Sequence, residues 1–257
     1  MKGFMILASN DDGIQSEGLN RLVEAVSRID DVVVVAPDRE RSAVSHALTL
    51  GSPLRADELR EGWFAVDGTP TDCVNLAVNG LLSERPWLVV SGINLGANLG
   101  DDITYSGTVS AAMEAVLLGI PAVAFSQVGS VPFNFDAAAD FAGALVKRLA
   151  EPGASLPSDT LLNVNIPEGP RPGGYEVTRQ GKRRYGDAVV EKTDPRGRKY
   201  YWIGGDELGF DDVEGTDFSA IKRGQISVTP LHLDLTNYES MEHVAQLAVP
   251  WGERGKA

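Results

Sequence analysis

The 257-residue sequence predicts an α/β fold: a Rossmann-like, mostly parallel sheet with helices on both faces, plus a C-terminal extended hairpin arm. Two observations predict the sheet. Short apolar runs of strand length alternate with windows whose apolar residues recur at i, i+3, i+4 and i+7. Such alternation packs as strand–helix units, because each helix must bury its stripe on a sheet face. A third observation predicts the arm: after residue 166 the periodicity gives way to Gly and Pro over 167–174 and then to extended segments across 188–203.

The elements follow in chain order. Phe4 to Ala8 reads as a buried strand, and Leu19, Leu22, Val23 and Val26 then fall at helical spacing. Val32 to Ala36 is a second strand. Val74, Ala77, Val78, Leu81 and Leu82 mark a helix, Trp87 to Val90 a third strand, and Val109, Ala112, Met113, Val116 and Leu117 another helix. Ala122 to Phe125 is a fourth strand, Asp136 to Leu149 a helix, and Leu161 to Ile166 a fifth core strand. Asp194-Pro195-Arg196-Gly197 has the composition of a turn, so 188–203 reads as a hairpin. Ile226 to Thr229 is a strand that returns to the sheet, and Met241 to Ala248 a short helix. The whole chain, 1–257, is expected to form one domain, with a core over about 1–166 and an elaborated part with the arm over about 167–257.

Composition excludes several function classes. Lys plus Arg is 23 against Asp plus Glu 36, a formal charge of −13. A general nucleic-acid coat or a binder of anionic membranes carries the opposite balance. Residues 179–199 run against that charge, with eight basic residues against Asp187, Glu191 and Asp194. This stretch is read as an arm gripping an acidic sister subunit or framing an anion site, ahead of RNA binding. The single Cys73 rules out an internal disulfide and fits a reducing compartment. The apolar start is too brief for a signal peptide, and no run approaches a membrane span. The expected address is the cytoplasm.

The chemistry gathers where strands end. Ligands of open parallel sheets bind outside the carboxyl ends of the strands. Ser9-Asn10-Asp11-Asp12-Gly13 follows the first strand, and it holds two carboxylates where a dinucleotide-binding fold has a glycine fingerprint. Adjacent carboxylates repel phosphate unless a hard divalent cation, which takes oxygen ligands, lies between. A turn or helix cap would also use these residue types. Receiver domains need an Asp after the third strand, where this chain has Ser91-Gly92-Ile93-Asn94. Haloacid-dehalogenase-type phosphatases need Asp-x-Asp, which Asp11-Asp12-Gly13 does not supply. After the second strand, Ser42 offers a neutral oxygen, and Arg39 and Arg41 offer charge for anionic oxygens.

The densest signal is Ser91 to Asp102, three glycines and two asparagines after a buried strand. It leads through Tyr105 to Ser106-Gly107-Thr108, the start of a helix whose free N–H groups and dipole favour an anion. Two carboxylates and one divalent cation cancel in charge, and neutral Asn and Ser ligands add none. An open metal face beside that helix start can hold a phosphate dianion. The residues therefore read as a phosphomonoester hydrolase, with the metal as Lewis acid and water activator.

These motifs in order, with Gly68-Thr69-Pro70-Thr71-Asp72-Cys73, Gly215-Thr216-Asp217-Phe218 and Ser227-Val228-Thr229-Pro230-Leu231, resemble the SurE family of stationary-phase survival-protein phosphatases. The resemblance implies hydrolysis of nucleoside 5′- and 3′-monophosphates and leaves activity on short polyphosphate open. It implies one Mg²⁺ or Mn²⁺ ion per subunit, with Asp11, Asp12, Ser42 and Asn94 as ligands. Asn98 and Ser106, Gly107 and Thr108 then contact the phosphate. It further implies a homodimer or tetramer formed through the C-terminal arm. A metal-activated water is the simpler attacking group, and covalent attack by Asp11 the alternative. His232, at a strand end, is a candidate acid, though a structural histidine is the plainer reading, as it is for His46. The alternative function is a nucleotide or RNA-binding regulator that binds without turnover.

Overall fold

The computed structural model describes residues 5–130, 132–169, 172–184, 189–203 and 209–247. Phe4, Asp187, residue 188 of the expected arm and Ala248 at the end of the last expected helix lie outside the described residues.

Nine strands form one sheet. Its central strands are β1 (Met5–Ser9), β2 (Asp31–Pro37), β5 (Leu88–Leu95), β6 (Ala122–Gln127) and β7 (Thr160–Ile166). β3 (Ala56–Arg60) and β4 (Trp63–Val66) extend one side, and β13 (Ile226–His232) and β8 (Tyr175–Val177) the other. The order is β3-β4-β2-β1-β5-β6-β7-β13-β8, parallel from β4 to β7, with β3 and β13 antiparallel to their neighbours β4 and β7. The chain leaves β1 for β2 on one side and returns to β5 on the other, so the order reverses at β1. That reversal opens a crevice at the carboxyl edge.

Period-two alternation decides which helices cover which face. Ile6 and Ala8 of β1, Leu88 and Val90 of β5, and Val123 and Phe125 of β6 join one buried cluster. It takes the stripes of α1 (Glu17–Val26) and α4 (Asp136–Leu149). Leu7, Val89, Ala122 and Ala124 face the other way, onto α2 (Pro70–Leu76) and α3 (Gly107–Leu117). Cys73 is fully buried in that second layer, as the packing reading expects. Side-chain caps fix the helix starts: Ser16 accepts from Leu19 N–H, Ser106 from Val109 N–H, and Thr69 and Asp72 form a reciprocal capping box.

Three differences from the expectation have a physical origin in the structure. The third strand runs on to Leu95 rather than stopping at Val90, because the ladder is broken by a bulge between Ser91 and Asn94 and then resumes against Ser126 and Gln127. Gly92 makes that possible: its φ is +119°, and a Cβ there would sit 2.2 Å from the Phe125 carbonyl oxygen. The helix expected around 74–82 starts earlier, at its capping box and Pro70, and ends in a π-helical turn, Ala77–Leu81. The β3–β4 hairpin was not foreseen, because β3 carries Asp57, Glu58 and Arg60 as a charged, exposed edge strand and shows no apolar period.

The arm is a two-stranded hairpin of β10 (Val189–Thr193) and β11 (Lys199–Ile203). It turns at Asp194, whose carboxylate accepts from Arg196 and Arg198 N–H, as expected. β9 (Arg183–Arg184) pairs with β12 (Gly209–Phe210) at its base. α5 (Asp217–Lys222) fastens this region to the sheet edge. The fully buried Asp217 carboxylate accepts from Gly100, Gly181 and Phe218 N–H at 2.8, 2.9 and 2.8 Å. α6 (Met241–Ala245) is the last described helix, and among the described residues no helix is long and apolar enough to cross a membrane.

Asp217→Ala leaves three buried N–H groups without their acceptor. It is expected to cost about 3 kcal/mol in chemical denaturation.

Candidate active site at the carboxyl edge

Asp11 and Asp12 follow β1 at the reversal point. Asp11 is buried, and its carboxylate accepts the Thr108 hydroxyl in a short hydrogen bond. Burial pushes its carboxyl up; the Thr108 hydroxyl and the N–H groups of Asp11, Thr108 and Gly107 pull the other way. The α3 start therefore points at Asp11. Gly107 permits the approach: a Cβ there would lie 2.7 Å from Asp11 Cβ and 3.0 Å from its Oδ2. Asp12 is half-buried and accepts from Leu95 N–H at 3.1 Å. Burial first, and the Asp11 charge second, push its carboxyl up to about 6.

The other expected ligands are bracketed to the same place. Asn94 lies on β5 beside Leu95, and its Nδ2 donates to the Gly96 carbonyl at 3.0 Å. The Arg41 N–H donates to the Asp11 carbonyl at 2.7 Å, which brings the β2 loop over the pair. The next residue, Ser42, donates to Glu40 Oε1 at 2.9 Å and lines a 600 Å³ cleft together with Asp12. Arg39 and Arg41 are not poised as an anion clamp. Arg39 is paired with Asp38, and Arg41 Nη2 donates to the Asp67 carbonyl.

The four residues fit a hard divalent cation. Two carboxylates, an amide and a hydroxyl all offer oxygen, and burial, with the Asp11 charge beside it, pushes the Asp12 carboxyl up. Among the described residues no cluster of three or more His, Cys, Asp and Glu offers another metal site.

The expected phosphate contacts fall into different states. Ser106 Oγ caps α3, and the Thr108 hydroxyl and the N–H groups of Gly107 and Thr108 are turned toward the Asp11 carboxylate. Asn98 is buried, and its Nδ2 donates to Ser126 at 2.7 Å. Its N–H donates to Asn165 Oδ1, and its carbonyl accepts from Asn163 and Asn165. This support went unread in the sequence, although Asn163-Val164-Asn165 puts two amides on one face of an otherwise apolar strand.

Of the two histidines weighed in the sequence, one lies at the far edge of the sheet and the other is held by a different carboxylate. His232 pairs with Thr160 at the amino end of β7, so the antiparallel β13 carries it to the opposite edge of the sheet. That removes it as an acid for this site. His46 Nε2 is 2.9 Å from the buried Glu114 carboxylate, which also accepts from Asn75.

The chain is similar to known proteins over nearly its whole length. The family model described as survival protein SurE matches residues 6–187. The 5′-nucleotidase SurE of Syntrophotalea carbinolica is 60% identical over 96% of this chain and 98% of that protein. The protein of the same name from Geobacter metallireducens is 62% identical over 92% of this chain and 94% of its own length. A crystal structure of the SurE protein from Aquifex aeolicus superimposes with a TM-score of 0.85 at 48% identity, covering 95% of this chain and 99% of that one.

Raised carboxyl groups give a signed expectation for pH and metal. Charging them costs folding stability as pH rises through their raised values, and a cation that binds the charged pair restores it. Saturating Mn²⁺ is expected to raise the melting temperature by about 5 °C at pH 7.5. The rise is smaller at pH 5.5, where protons compete at Asp12. Differential scanning fluorimetry at the two pH values reads the difference.

Proposed function

The chain belongs to the SurE family, and from that premise we propose a metal-dependent phosphomonoesterase that hydrolyses nucleoside 5′- and 3′-monophosphates to nucleoside and phosphate. One observation carries the reading: a carboxylate pair meets a helix start in the crevice where the strand order reverses, with Ser42 and Asn94 on the flanking loop and strand.

In this reading Asp11, Asp12, Ser42 and Asn94 hold one Mg²⁺ or Mn²⁺ ion per subunit. The ion would supply Lewis-acid stabilisation of the phosphoryl oxygens and activation of water. Thr108 and the α3 start fix the Asp11 carboxylate in one orientation. Hydrogen bonds to a carboxylate lower its nucleophilicity, so they favour attack by water over covalent attack by Asp11. Asn98, Ser106, Gly107 and Thr108 contact the phosphate in the proposal. An amide NH₂ has two donors, and Asn98 uses one on Ser126.

The arm supports assembly. Tyr201, Trp202 and Ile203 are 56%, 61% and 90% exposed on a hairpin all of whose strand residues are exposed, and such apolar area is commonly covered by a partner. We propose a homodimer or tetramer formed through it. The lone, buried Cys73 supports a cytoplasmic setting.

Phosphate release from 5′-AMP and 3′-AMP with Mn²⁺ is expected to stop with EDTA. Asp11→Asn should lower it by roughly 10³-fold with the far-ultraviolet circular dichroism unchanged. Full activity of folded Asp11→Asn protein would overturn the assignment.

A further inference from the structure

The carboxylate pair opens into a cleft that its own chemistry does not use. From Asp12 and Ser42 the 600 Å³ cavity runs past Leu95 to Pro132 and Phe133. A metal ion and a phosphate fill only a fraction of that volume. The far wall is aromatic and braced. Phe135 is 3% exposed and shares a buried cluster with Ile93 of the β5 bulge, beside the expected ligand Asn94. Phe133 lies parallel on Phe135, with ring centroids 6.1 Å apart and planes at 12°. An offset stack covers one face of a ring and leaves the other for a second partner. Phe133 also walls a smaller cavity of 260 Å³ that includes Gln127. The Gln127 side chain is almost wholly buried, and its Oε1 has no hydrogen-bond partner among the described residues. The open face of an apolar ring suits a flat heterocycle; the Gln127 acceptor is itself buried and belongs to the adjoining cavity.

We propose that this cleft seats the nucleoside, with the base stacked on Phe133, and that the stack sets the preference for nucleotides over phosphomonoesters that lack a base. The proposal rests on the nucleotidase reading above. Glu17 and Glu40, which also line the cleft, add negative charge around the nucleoside. They favour a neutral base there and disfavour any additional phosphate.

The test compares kcat/KM for 5′-AMP with kcat/KM for ribose 5-phosphate, which carries the same phosphate and sugar without a base. In the unaltered enzyme the ratio is expected to exceed ten. Phe133→Ala and Phe133→Leu should lower the ratio about tenfold, mainly through KM for AMP, because stacking is worth about that much per base. Phe133→Leu keeps the apolar packing on Phe135, so its loss reports the ring rather than the fold. Phe133→Tyr keeps a π-face and should hold the ratio within about twofold. An active enzyme whose ratio is the same in the Ala and Leu variants would overturn the nucleoside seat and leave the nucleotidase reading standing. Release of phosphate from neither substrate by folded, Mn²⁺-loaded protein would overturn both.

Discussion

Two carboxylates side by side at the end of a buried strand repel each other, and one of them lies out of solvent. Everything at this edge of the sheet can be understood as an answer to that charge. Asp11 cannot relax toward water. It is met instead by the Thr108 hydroxyl and by the first N–H groups of α3, which carry the positive end of the helix dipole. Asp12 has weaker help, from Leu95 N–H, and its carboxyl is correspondingly pushed up to about 6. The compensation is partial, and in the proposed reading a divalent cation completes it. The charge left over is what such a hard cation would neutralise.

The surrounding architecture holds this geometry. Asp11 and Asp12 sit where the strand order reverses, so loops from β2 and β5 flank them without insertion of a further element. The bulge at Gly92 lets β5 continue to Leu95, which places Asn94 and the Leu95 N–H on a strand rather than a free loop. A ligand on a strand is held more rigidly than one on a loop. Beneath, Asn98 is pinned through its backbone by Asn163 and Asn165 and through its amide by Ser126. Asp217 ties Gly100 to the base of the arm. The segment that frames the site is therefore coupled to the segment proposed to join subunits.

Much of this was legible in the sequence because it is local or periodic. Helix α4 matches the expected span of Asp136 to Leu149, β7 begins one residue before the expected Leu161, and the hairpin matches expectation over the described 189–203. The ordered motifs were enough to indicate the family. What escaped has a common character: it depends on tertiary pairing. Composition marked Ser91–Asp102 as a loop, since glycine weakens a strand, but only the Phe125 carbonyl closing on Gly92 shows that the glycine admits a bulge. Thr108 read as part of an anion cradle, and only the fold shows that its hydroxyl belongs to Asp11. His232 read as being near the site because it ends a strand; the antiparallel direction of β13, invisible in the residues themselves, sends it to the other edge. The β3 edge strand was hidden by its own charges, which protect it from mispairing. Phe133 drew no notice, because one aromatic residue before a helix has no signal until its neighbours are known.

The proposed role of Asp11 and Asp12 is to hold a hard cation that completes their charge balance. The most direct measurement is anomalous diffraction from crystals soaked with Mn²⁺ at pH 7.5. One strong anomalous peak per subunit is expected, within coordination distance of oxygens from Asp11, Asp12, Ser42 and Asn94. A peak elsewhere with none between the two carboxylates, or no peak at saturating metal, would contradict it.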